Sequence, residues 1–146
     1  MSKQILHLHL GKDAEPKWTT VRFLDDAFTI QSIGVGGDID TLVRLIAEAD
    51  TTGSADAIAL DGIATELCLG RQRIRHRWAD RIAAAAAHIP VVTGQGVRGA
   101  FERWALRLVS EREPGIFSRR RVLLAPGLNH NGLADGLGAF TDERRW

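Results

Sequence analysis

The stretch Ile89–Leu108, IPVVTGQGVRGAFERWALRL, holds the residue spacing in this chain best suited to chemistry. A short apolar strand runs into Gly94, and Gly94, Gly96 and Gly99 then spell G-x-G-x-x-G ahead of an amphipathic helix. In a strand–loop–helix unit, glycines so placed let the backbone turn tightly and approach a bound group. The first helical N–H groups and the positive end of the helix dipole then favour an anion. Gly94, Gly96 and Gly99, with Arg98, are therefore the candidate cofactor-binding set, and a phosphorylated cofactor is the expected ligand. The full dinucleotide fingerprint also wants a carboxylate about twenty positions on, at the end of the next strand, to hold the ribose. Here that strand ends in Leu124, Ala125 and Pro126, with Arg119, Arg120 and Arg121 before it. That pattern favours a phosphate-bearing ligand over an unphosphorylated ribose; the alternative is a tight strand-to-helix turn that binds nothing.

Lys12, Asp61 and His130 are the candidate catalytic residues. Lys12 follows Gly11 at the end of a strand and suits an acid or an anion holder. Asp61, ahead of Gly62, closes another strand. His130, between Asn129 and Asn131, has an intrinsic pKa suited to proton transfer during hydride chemistry. Asp38 and Asp40 could join Asp61 around a metal, but two carboxylates after Gly36–Gly37 read better as a helix cap with a favourable first-turn charge. His7 and His9 share one face of the first strand, yet no second cluster with ligand spacing accompanies them, so no metal is expected. Cys68 reads as buried and inert, and Phe101 and Trp104 as packing their helix onto a sheet.

The elements that must position these residues alternate. Gln4–Leu10, Thr19–Leu24 and Phe28–Ile33 read as strands, the last two around an Asp25–Asp26 turn. A helix capped by Asp38 runs to about Ala49 on the apolar spacing Ile39, Leu42, Val43, Ile46. Ala57–Leu60 is a short buried strand, and Glu66–Leu69 with Gln72–Ile74 is a hairpin about Gly70–Arg71. Trp78–His88 is an alanine-rich helix stopped by Pro90. After the glycine motif come a helix to about Glu111, a strand at Arg121–Leu124, and a glycine-rich loop leading into a short helix. This succession predicts an α/β fold: a three-layer Rossmann-like sandwich with a mostly parallel sheet. Ligands of such sheets sit beyond the carboxyl ends of the strands. If all these strands are parallel, the loops at 11–13, 61–62, 94–98 and 127–132 share one rim.

The 146 residues are expected to form a single α/β domain; 45% are apolar and 25% charged, ordinary for a globular protein. Residues 1–70 carry 5 basic and 11 acidic side chains, and residues 71–146 carry 14 basic, all arginine, and 7 acidic. Arginine's planar fork suits phosphate or carboxylate, so the second half is where an anion would go, unless the charge is a solvated surface. Arg71, Arg73, Arg75 and Arg77 fall at period two beside Trp78. A charge-protected edge explains them better than nucleic acid, which is not an expected partner. No apolar run is long enough to cross a membrane, and the single cysteine fits a reducing cytoplasm.

Four blocks taken together, GVGGDIDTLVRLI (34–46), ADAIALDGI (55–63), PVVTGQGVRGAFER (90–103) and RRVLLAPGLNHNGLADGL (120–137), resemble in order a bacterial family of quinate/shikimate-type dehydrogenase-like proteins. The family pattern has a lysine where this chain has Arg98 and an aspartate where it has Thr93. Its members are longer, so the resemblance implies that this chain is the N-terminal portion of a larger parent. It also implies an NAD(P)-linked oxidoreductase acting on a small hydroxy acid or related polar metabolite. So short a chain is expected to complete its cleft as a homodimer. The alternative is a small-molecule-binding or sensing α/β domain with no chemistry of its own.

Overall fold

The structure, a computed structural model, describes residues 2–69, 72–118, 120–124 and 129–140, and the backbone of 144–145. The Gly70–Arg71 turn, Arg119, Ala125 and Pro126 lie outside the described residues. The chain divides into two compact units, Met1–Thr65 with His76–Gly94, and Glu66–Arg75 with Gln95–Trp146.

The first unit contains β1 (Ser2–His9), β2 (Lys17–Phe23), β3 (Asp26–Gly34), α1 (Ile39–Thr52), β4 (Ala57–Asp61), α2 (Ala79–Ala85) and β7 (Val91–Val92). Its sheet has the order β2-β3-β1-β4-β7. β1, β3, β4 and β7 run parallel, and β2 is antiparallel to β3. The fold is thus α/β, with a mostly parallel five-stranded sheet flanked by helices, compatible with a Rossmann-like sandwich. The β2–β3 turn falls one residue earlier than expected, with Leu24 at φ 54°.

Alternation dictates the core. On β1, Leu6 and Leu8 are buried while Ile5, His7 and His9 point to the other face and are only half-buried. Leu8, Leu42, Ile46 and Ile58 are fully buried, and with Leu6, Ile39 and Leu60 they join α1 to the central strands. α1 begins where the sequence predicts: the Asp38 carboxylate accepts the Asp40 N–H at 2.9 Å and the Thr41 hydroxyl at 2.7 Å. It ends at Gly53, whose φ of 62° is the left-handed cap that glycine favours.

α2 is shorter than its alanines predict, stopping at Ala85 instead of running to His88. The cause lies at the end of α1. Asp50 accepts the backbone N–H groups of Ala87, His88 and Ile89 at 3.1, 2.8 and 2.7 Å, giving them a partner other than the helical ladder. Those bonds, Ile89 and His88 foremost, hold the Asp50 carboxyl well below the usual carboxylate range.

The second unit contains β5 (Glu66–Leu69), β6 (Gln72–Arg75), α3 (Gln95–Arg112), β8 (Val122–Leu123), α4 (Asn131–Leu137) and β9 (Arg144–Arg145). β5 and β6 form the expected antiparallel hairpin. β8 pairs with β9 and takes no place in the five-stranded sheet, and residues 127 and 128 of the expected rim lie outside the described residues. α3 and α4 cross closely through small residues. A Cβ on Gly132 would collide with the Gly99 carbonyl oxygen, and one on Gly136 would come within 2.6 Å of Leu106 Cδ1.

Candidate functional site

The strand order creates one place in the first unit where a ligand crevice is expected. The connection from β1 leaves toward the β2–β3 hairpin, and the connection from β4 leaves toward β7 on the opposite side. Adjacent parallel strands whose onward connections diverge define a topological switch point, and the cleft lies beyond their carboxyl ends. β1 ends at His9 and β4 at Asp61, and these two residues stand opposite each other in the parallel register. Both therefore present their side chains to the same side of the sheet.

The loops around this point are built on close backbone approach. The His9 carbonyl accepts the Val35 N–H at 2.8 Å, the Gly11 carbonyl accepts the Gly36 N–H at 2.7 Å, and the Asp13 carbonyl accepts the Gly34 N–H at 2.8 Å. Gly34 is required because a Cβ there would collide with the Gly11 carbonyl oxygen. The His9 ring is oriented by its own loop, its Nδ1 accepting the Gly11 N–H at 3.1 Å. Lys12 and Asp61 are exposed at this rim. Asp13 is held below the ordinary carboxylate range by the Lys17 ammonium 2.7 Å away. The rim thus offers a carboxylate, an ammonium and an imidazole.

The structure divides the remaining candidates. Gly94 follows β7 at φ 68°, as a strand-to-helix turn requires. Gly96 and Gly99 lie within α3 and not in a loop. A Cβ at Gly94 or Gly96 would meet nothing within 4 Å, whereas buried Gly99 serves the crossing with α4. Arg98 is exposed in the first turn of α3, which contains no acidic residue. The first turn of α1 differs, since Asp38 already fills its N-terminal amides. Neither glycine turn holds the complete dinucleotide pattern. The β3–α1 turn leads to a strand ending in a carboxylate, Asp61, but has an occupied helix start. The α3 turn lacks an acid in its opening, but no carboxylate ends β8.

His130 belongs to the second unit and is tied to a residue that the sequence reading passed over. Its Nδ1 lies 2.6 Å from Oε1 of Glu102, a buried acid on α3. The other oxygen of Glu102 accepts the Leu133 N–H at 3.1 Å. His130 occupies the N-cap position of α4 and makes no capping bond with its side chain. Glu102 supplies that cap from the neighbouring helix, satisfying an otherwise orphan N–H. Beside it, Asn129 at φ 62° exchanges bonds with Cys68: its Oδ1 accepts the Cys68 N–H at 2.8 Å and its N–H donates to the Cys68 carbonyl at 2.7 Å. Gln95 Nε2 approaches both Cys68 Sγ and Asn129 Oδ1 at 3.5 Å. The Cys68 thiol is buried, which together with Glu66 pushes its pKa up.

His7 and His9 stack with centroids 5.5 Å apart, and His7 bonds the Ser32 hydroxyl at 2.9 Å. Among the described residues no group of three or more His, Cys, Asp or Glu is arranged to hold a metal ion. Phe101 and Trp104 pack on each other at 5.7 Å and remain more than half exposed. No helix among the described residues is long and apolar enough to cross a membrane.

Residues 4–93 match the model of a family described as Domain of unknown function (DUF8753), and the chain belongs to that family. The matched stretch begins in β1 and ends just after β7, so it takes in every strand of the five-stranded sheet. No curated protein and no solved structure matches the chain.

Proposed function

We propose that this member of the DUF8753 family binds a small hydroxy acid or related polar metabolite at the carboxyl rim of its parallel sheet. The observation that carries the proposal is the placement of His9 and Asp61 opposite each other at the β1–β4 switch point. The Asp61 carboxylate accepts hydroxyl donors, the Lys12 ammonium answers a ligand carboxylate, and the His9 imidazole adds a second polar contact. All three come from the same compact unit, the one the family model covers.

The test is a thermal-shift and calorimetric titration against a panel of cyclic and open-chain hydroxy acids, using wild type, Asp61→Asn and Lys12→Ala. A ligand present at a hundredfold excess over its Kd adds about 2.7 kcal/mol of stability. Wild type gains that stability, and the two variants fold normally but bind more weakly.

An NAD(P)-linked oxidoreductase is the second reading. It is favoured by the α3 turn, where Gly94 is left-handed, Gly96 is open and Arg98 stands without an acidic neighbour in the first turn. In that reading Gly94, Gly96 and Arg98 hold the nucleotide phosphates, and the cofactor supplies the hydride chemistry. The same titration run with NAD(H) and NADP(H) tests it.

A further inference from the structure

The outer edge of the five-stranded sheet is formed by a strand built to accept another. β2 pairs with β3 without interruption from Lys17↔Ser32 to Phe23↔Asp26. Its other edge therefore presents an unbroken row of backbone N–H and C=O groups, with no bulge to twist it away. All seven residues are exposed. The opposite edge of the sheet, β7, is only two residues long. Natural edges are commonly blunted by proline or by charged side chains. Here Pro16 stands just ahead of the strand, Lys17 at its first position is paired with Asp13, and Arg22 is the one charge inside the strand.

We propose that β2 pairs antiparallel with β2 of a second copy of this chain, about a two-fold axis through Thr20. Two five-stranded sheets then become one. The strand sequence, KWTTVRF, is self-complementary in that register. Centring on Thr20 is the alignment that pairs all seven residues. Trp18 lies opposite Arg22 of the second copy, Thr19 opposite Val21, and Lys17 opposite Phe23, so like charges never face each other. Trp18 is 60% exposed, and the guanidinium of the second copy gives it a cation–π partner, twice by symmetry. Val21 and Phe23, 40% and 67% exposed, share the other face and gain cross-strand neighbours as well. Moving the axis to Thr19 sets Arg22 against Pro16, which has no N–H to donate. Moving it to Val21 separates Trp18 from Arg22. An axis perpendicular to the sheet also keeps corresponding faces of both copies on the same side, as an isologous interface requires.

The register makes the test specific. Across the axis, Thr20 faces its own symmetry mate at a Cα separation of about 4.5–5.5 Å, within disulfide reach. On mild oxidation, Thr20→Cys forms a disulfide-linked dimer, while Val21→Cys, whose opposite residue is Thr19, does not. In light scattering wild type has the mass of a dimer. Trp18→Arg sets arginine against arginine and gives a folded monomer, and Trp18→Arg/Arg22→Glu restores the dimer through an ion pair. Circular dichroism confirms that each exposed-edge variant is folded. A monomeric wild type overturns the proposal. So does equal cross-linking at positions 20 and 21, or a dimer that Trp18→Arg leaves intact.

Discussion

Asp50 and Ile89 are 39 residues apart in sequence, and the carboxylate of the first accepts the backbone N–H of the second at 2.7 Å. The same carboxylate takes the N–H groups of Ala87 and His88, so one side chain fixes the approach to β7. Asp50→Asn removes one acceptor oxygen and the charge that strengthens all three bonds. The melting temperature of the variant falls below that of wild type at neutral pH. Because the folded-state pKa of Asp50 is depressed, its contribution is fully present above the unfolded carboxylate pKa of about 3.9 and is lost as pH falls further. The gap between wild type and Asp50→Asn therefore narrows below about pH 4, read from melting curves across an acid series.

Gly34 and Gly96 separate two uses of glycine. Gly34→Ala drives a Cβ into the Gly11 carbonyl and costs about 1–3 kcal/mol in urea unfolding, since backbone must move. Gly96 sits in helical backbone with open space around it, so Gly96→Ala raises stability by about 0.5–1 kcal/mol. If a nucleotide phosphate approaches the start of α3, the same substitution weakens its binding while the fold gains.

These two glycines also mark how much could be read from sequence. The alternation of β1, the Asp38 cap and the β5–β6 hairpin follow from local rules of period, capping and turn chemistry, and the sequence places them within a residue or a few. Asp61 is legible as the end of a strand, but its partner His9 reads only as half of a histidine pair. Their meeting depends on β1 lying beside β4, which strand order decides and local pattern does not. The shortened α2 depends on Asp50, and the capped α4 on Glu102, each contributed from far along the chain. Gly96 and Gly99 read as a loop because their spacing is that of a phosphate turn. α3 in fact begins at Gln95, and Gly99 answers to Gly132.

Glu102 makes two longer-range polar contacts at the start of α4, to the His130 ring and the Leu133 N–H. Glu102→Ala leaves the Leu133 N–H and the His130 ring without their partner, costing about 1–3 kcal/mol. Hydrogen exchange at the Leu133 amide accelerates in that variant. Glu102→Gln, which can keep the acceptor toward Leu133, retains more protection than Glu102→Ala.

Cys68 is held as the thiol by burial, so its reaction with a thiol-specific disulfide reagent is slow in the folded chain. Adding denaturant raises the rate by about tenfold or more, as the thiol returns to the reactivity of an exposed cysteine. A fast reaction in native buffer would place the thiol at the surface.

Where a ligand binds separates the β1–β4 rim from the α3 turn most directly. An amide NMR titration of the isotope-labelled chain with the hydroxy-acid panel reads this residue by residue. The expected result is saturable shifts clustered at Leu10–Asp13 and Asp61–Ile63, reduced in Asp61→Asn. Nucleotide binding at the second candidate turn would instead move the amides of Gly94–Gly99. Spectra unchanged at ligand concentrations of about 10 mM, well above a millimolar Kd, would contradict binding at the β1–β4 rim, as would shifts confined to other strands.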